Sequence, residues 1–115
     1  MKVYAFETLP STNDFLKTLD PEEDVAAVAE EQTGGRGSKG RSFSSAKGGV
    51  YLSLLRIRPC KAEESFRIVV NASLAVVHTL AAFGVNARIK WPNDVFADGK
   101  KISGMLIENV FEGDE

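Results

Sequence analysis

Three features of this chain predict an α+β fold, a mixed and largely antiparallel sheet backed by helices. One long stretch, Ala62 to Phe83, repeats apolar residues at three- and four-residue steps and is followed by Gly84, a helix with its stop signal. Val50 to Ile57 is a β-rich run bounded by Gly48-Gly49, a strand. Asp98-Gly99 lies between two short apolar runs, the dipeptide of a two-residue hairpin turn.

The remaining elements follow in order. Residues 2–6 alternate enough for a short strand. Pro10-Ser11-Thr12-Asn13-Asp14 is a turn feeding a helix, with Ser11 or Thr12 as N-cap and Phe15, Leu16 and Leu19 on its inner face. Asp20 to Asp24 is a polar break, and Val25 to Ala29 is a buried strand. A glycine-rich loop runs from Gly34 to Gly49. Phe66, Val69, Val70, Ser73, Leu74, Val77, Leu80 and Ala81 form the inner stripe of the long helix. Ala87 to Trp91 is a strand stopped by Pro92, and Val95–Ala97 pairs with 101–109. All strands are expected in one sheet with the long helix on one face.

Composition narrows the function. With 115 residues and 43% apolar content the chain suits one small domain. A net charge of −2 gives no overall attraction to nucleic acid. Cys60 is the single cysteine, which excludes an internal disulfide or a cysteine metal cluster. His78, the single histidine, falls in the long helix as a surface or packing residue, so a histidine-dependent triad has no support. No leader or membrane span is expected, and the protein reads as cytoplasmic.

Charge is segregated along the chain. Residues 20–31 hold six acids and no base, whereas residues 34–62 hold seven bases and no acid. The basic block is interleaved with glycine in Gly34-Gly35-Arg36-Gly37-Ser38-Lys39-Gly40-Arg41, a pattern suited to holding phosphate. It matches G-x-G-x-x-G and nearly matches a P-loop, with Arg41 in the lysine's place. Both motifs require a helix to begin at the loop, and here a strand follows. A basic loop closing over a phosphate-bearing ligand and an ordinary surface loop both remain open.

A second cluster is Lys90, Asn93, Asp94 and Lys101 around the hairpin. Asn and Asp after proline are also ordinary turn formers, and Trp91 also suits a core. Lys101 lies in an otherwise apolar strand, where an ammonium is costly unless an anion meets it. Ser11-Thr12-Asn13, taken alone, is a helix cap.

In order, Ser11-Thr12-Asn13, Glu31-Gln32-Thr33, Gly35-Arg36-Gly37 to Arg41, Gly49 to Leu54, Lys90-Trp91-Pro92-Asn93-Asp94 and Gly99-Lys100-Lys101-Ile102-Ser103-Gly104 to Glu108 resemble the catalytic domain of biotin–protein ligases. The resemblance spans nearly the whole chain. It implies the class II synthetase-like fold shared with lipoate ligases, and a reaction in two steps. Biotin's carboxylate attacks the α-phosphate of ATP to give biotinyl-5′-adenylate, and a lysine of a biotin carrier protein then takes the biotinyl group.

By that resemblance, Ser11, Thr12, Asn13, Gln32, Gly35, Arg36, Gly37, Ser38, Lys101 and Gly104 contact biotin. Arg36, Lys39, Arg41, Lys90, Asn93 and Asp94 serve ATP, with Asp94 also holding Mg2+. Lys101 and Arg36 are the catalytic residues, and Val50 to Leu55 wall the biotin pocket. The expected partners are biotin, ATP and a biotin carrier domain; a homodimer is open, and neither nucleic acid nor membrane is expected. A lipoate-type ligase and a non-catalytic biotin- or adenylate-binding domain are the rival readings.

Ser38 departs from the family pattern, which has a second arginine there, and Phe43 and Ala46 replace its Trp and Pro. The chain is further expected to be a truncated catalytic domain, without the family's N-terminal winged helix or C-terminal β-domain.

Overall fold

The computed structural model describes residues 1–36, 44–57, 61–91 and 93–108, and the described chain divides between Ile57 and Lys61 into two compact units. The first unit contains β1 (Lys2–Leu9), α1 (Thr12–Lys17), β2 (Val25–Gln32) and β3 (Tyr51–Leu55). Its sheet has the order β1-β2-β3, with β1 and β2 parallel and β2 and β3 antiparallel. A parallel pair cannot be closed by a tight turn, and α1 supplies the crossover.

Strand alternation decides which face α1 covers. Tyr4, Ala27 and Ser53 lie in one cross-strand row on that face. Alanines at 26, 27 and 29 keep β2 thin and closely packed. Leu16 of α1 forms the core with Val25 and Ala27, and Tyr4, Phe15, Leu19 and Leu55 pack around it. Phe15 meets both Tyr4 and Phe6 edge to face, with ring centroids 5.3 and 4.7 Å apart. Val3, Leu52 and Leu54 fall on the opposite face and are exposed.

The second unit contains α2 (Ala62–Ala82), β4 (Arg88–Lys90), β5 (Asp94–Ala97) and β6 (Lys100–Gly104). Its sheet is antiparallel throughout, in the order β4-β5-β6. Val95, fully buried, is its centre, and α2 packs on β4 and β5. Gly84 ends α2 at φ +80°: the Val85 N–H bonds the Leu80 carbonyl at 2.9 Å and the Gly84 N–H bonds the Ala81 carbonyl at 3.0 Å, a Schellman motif.

The α+β class and the antiparallel bias hold, and several details change. The described strands form two three-stranded sheets rather than one. The reason is local closure, since β4, β5 and β6 follow one another through short turns and complete their own ladder. β1 and β2 run on to Leu9 and Gln32, past the expected ends. β6 ends at Gly104, and residues 105–108 are irregular.

The helical stripe is only partly covered. Ser73 is fully buried, Val69, Val70, Val77 and Leu80 are half-buried, and Phe66, Leu74 and Ala81 are exposed. His78 is exposed on α2, as a surface histidine. From Glu64 to Ala82, α2 is long and apolar enough to cross a membrane by length and composition alone, a test that helices packed in a protein core also pass. Its packing on β4 and β5 within the unit covers only a small part of that stretch.

Candidate active site

The candidate residues fall into two groups, one in each unit. In the first, Ser11 is the N-cap of α1: its backbone is extended and its Oγ accepts from the Asp14 N–H at 3.2 Å. Thr12, at the first helical position, has a backbone N–H with no partner inside the helix. Gln32, at the end of β2, supplies one, its Oε1 accepting from Thr12 N at 2.8 Å. The Thr12 Oγ1 lies 3.1 Å from the same oxygen and 2.6 Å from the Ser53 Oγ of β3. Ser53 also bonds the Asn13 Oδ1. On its other side, Gln32 donates from Nε2 to the Ser45 Oγ at 3.1 Å.

These contacts form one polar cluster in which Ser11, Thr12, Ser45 and Ser53 are all buried. A buried hydroxyl is tolerated only when bonded, and each of these is. Gly35, also buried, follows the cluster. The Gly34 N–H bonds the Pro10 carbonyl at 2.7 Å, and a Cβ at Gly34 would sit 3.3 Å from that oxygen. Arg36 reaches back to α1, its Nη2 donating to the Asp14 Oδ1 at 2.6 Å.

In the second group the hairpin sets the geometry. Asp98 and Gly99 both have positive φ, +51° and +75°, the requirement of a type I′ turn. Asp94 faces Gly104 and Val95 faces Ser103, but Phe96 faces Lys101, so the ladder slips between Val95 and Phe96. That β-bulge absorbs Ile102. Regular pairing would place Lys101 opposite Ala97, on the other face from Asp94. The bulge returns it to Asp94's face, where its Nζ lies 3.1 Å from Oδ1. Gly104 leaves the room: a Cβ there would lie 3.0 Å from the Lys101 Cε and 3.1 Å from Nζ.

Asn93 is a clamp. Its Nδ2 donates to the Met105 carbonyl at 3.0 Å, and its own carbonyl accepts from the Met105 N–H at 3.2 Å. Lys90 lies over the Phe96 ring at 5.6 Å. Trp91 is 62% exposed and meets Phe66 edge to face at 5.4 Å, so it is a surface aromatic rather than a core residue.

Within each unit the structure brings together most of the residues expected there: Ser11, Thr12, Asn13 and Gln32 in one, Asn93, Asp94, Lys101 and Gly104 in the other. Gly37, Ser38, Lys39 and Arg41 lie outside the described residues, as do Phe43, Cys60 and Pro92. Lys101 is not a buried ammonium awaiting a ligand: its side chain is 42% exposed and Asp94 already meets it. Val50 to Leu55 do not form one wall. Tyr51, Ser53 and Leu55 share the α1 face while Val50, Leu52 and Leu54 are exposed, because side chains alternate along a strand.

Asp14, Ser45 and Ser53 join these contacts but do not stand out in the sequence, since the partners they meet on other segments lie 13 to 41 residues away. A shallow depression of about 410 Å³ lies elsewhere in the first unit, lined by Ala5, Phe6, Glu7, Val28, Ala29, Glu30 and Gly49. Among the described residues, no group of three His, Cys, Asp or Glu could hold a metal. Magnesium shared with nucleotide phosphates needs only one or two carboxylates, and Asp94 fits that use rather than a protein cage.

The biotin/lipoate A/B protein ligase family matches residues 5–115, and the chain belongs to that family. Among curated relatives, it is 37% identical over 94 residues to the bifunctional ligase/repressor BirA of Bacillus spizizenii, covering 80% of this chain and 29% of that protein. It is 34% identical over 90 residues to the biotin–[acetyl-CoA-carboxylase] ligase of Mycobacterium tuberculosis, covering 73% of this chain and 34% of that one. The fold superposes on the biotin protein ligase of Aquifex aeolicus in complex with biotin and ATP with a TM-score of 0.81. That match has 32% identity and covers 94% of this chain and 47% of the Aquifex chain. The chain thus spans about a third of these curated relatives and about half of this solved structure.

Proposed function

We propose that this chain supplies part of the catalytic domain of a cytoplasmic biotin–protein ligase, which joins biotin to ATP and passes the biotinyl group to a carrier protein. The observation that carries the reading is the likeness, across 94% of this chain, to a ligase structure holding both biotin and ATP. A carboxylate oxygen of biotin attacks the α-phosphate, forming the acyl–phosphate bond as pyrophosphate leaves. The carrier lysine's amine then attacks the acyl carbon, AMP departs and the amine loses a proton.

The first step brings two anions together, so cations must offset their repulsion and the charge developing on the phosphate. Lys101 is the catalytic cation in this reading. Asp94 holds its ammonium in place beforehand, and the approaching carboxylate and phosphate compete for it. Arg36, held by Asp14, plays the same part beside the polar cluster, and Lys39 and Arg41 serve ATP. Ser11, Thr12, Asn13 and Gln32 bind the ring end of biotin, and Gly35, Gly37 and Ser38 contact it as well. Lys90 and Asn93 serve ATP, and Gly104 admits the reacting groups beside Lys101. Magnesium carried with the nucleotide would neutralise phosphate charge, and Asp94 would hold it.

ATP–pyrophosphate exchange on the purified chain, with biotin, with lipoate and with no acid, tests the proposal. Exchange with biotin alone is expected. Exchange with lipoate would move the assignment to the lipoate members of the family. A folded sample showing no exchange would leave this chain a binding part of the enzyme rather than a working one.

A further inference from the structure

Gln32 has its amide orientation decided by chemistry. The Thr12 backbone nitrogen can only donate, so the atom facing it at 2.8 Å is the carbonyl Oε1, and Nε2 is turned to Ser45. The carboxamide nitrogen is planar and carries two hydrogens. Once Ser45 takes one, the direction of the other is set. The two residues are held together twice, because the Gln32 N–H also bonds the Ser45 carbonyl at 2.9 Å in an isolated antiparallel bridge. Ser45 is 4% exposed, so water does not substitute for its hydroxyl.

We infer that Ser45 is a positioning residue: it aims the second Nε2 hydrogen of Gln32, making Gln32 a donor to an acceptor oxygen on the bound acid. The inference rests on the reading of this cluster as the biotin site, where the acceptor is the carbonyl of a ring urea. Thr12 decides which end of the amide faces the ligand, and Ser45 decides the angle. A ligand offering only N–H groups at that point would leave its own donors and Gln32's unpaired, which is how such a contact selects.

The test uses the full chain, ¹⁵N-labelled, with S45A, S45C and S45T. Cysteine keeps the volume but is a weak acceptor, and threonine keeps the hydroxyl. Hydrogen exchange of the Gln32 side-chain amide is read without ligand, and biotin affinity by calorimetry. The expected result is faster exchange and about tenfold weaker biotin binding in S45A and S45C, with S45T close to the original chain. An S45C variant that keeps both the original exchange and the original affinity overturns the inference. If the original chain takes up no biotin, the site reading fails, and the exchange arm still decides the role of Ser45: acceleration in S45A and S45C supports it, and unchanged exchange overturns it.

Discussion

Lys101 meets Asp94 across a β-bulge, with its ammonium 3.1 Å from the carboxylate of a residue that itself faces Gly104. Regular strand pairing would have put the two side chains on opposite faces. The pair is half-open to solvent, with 42% and 28% of the side chains exposed, so its contribution to stability is small, roughly 0–1 kcal/mol. Its consequence is where the cation is held.

Replacing Lys101 separates these roles. Lys101→Ala should abolish pyrophosphate exchange while moving the unfolding midpoint by only a few degrees, about what 1 kcal/mol produces in a chain of this size. Parallel exchange and thermal-melt measurements check it. Full exchange activity in the variant would remove Lys101 from the mechanism.

Gly104→Ala acts on the same cation indirectly. The added methyl would press on the Lys101 Cε and Nζ, the free end of a flexible side chain, so the fold should survive. The ammonium must shift from Asp94, and exchange should fall about tenfold, the effect of roughly 1.4 kcal/mol on a barrier. A structure of the variant would show the displaced lysine.

Ser11 carries a separable structural task. Ser11→Ala removes the cap of α1 and should cost about 1 kcal/mol, whereas Ser11→Thr keeps a capping oxygen and should retain most of that stability. Denaturant titration measures both. If Ser11 also contacts biotin, the threonine variant will lose affinity while keeping most of its midpoint.

Gly99→Ala tests the hairpin. At φ +75° an alanine pays the left-handed penalty, about 1 kcal/mol. The loss should appear in chemical denaturation. Because the turn also sets the register that feeds the bulge, amide exchange should quicken at Lys101 before it does at Val25.

Much of this was legible from local signals. Ser11 or Thr12 as a cap, Gly84 as a helix stop and Asp98-Gly99 as a turn depend on residues within four positions of one another. The family resemblance was legible as well, because its motifs are contiguous runs such as Lys90-Trp91 and Asn93-Asp94. The polar cluster was legible only by half. Thr12 and Gln32 belong to motifs, but Ser45 and Ser53 are ordinary serines whose meaning comes from strands pairing far along the chain.

What the amino-acid order determined by itself is therefore the set of elements, their caps and turns, and the chemistry available: a basic glycine loop, a capped polar helix start, a lysine and an aspartate in one hairpin. Tertiary structure alone decided which of those groups meet. It split the described strands into two sheets, turned Gln32's carbonyl to Thr12 and its nitrogen to Ser45, and used one bulge to bring Lys101 to Asp94's face. The physical reason is that strand register fixes facing, a one-residue slip reverses it, and register is set by pairing between segments rather than within them.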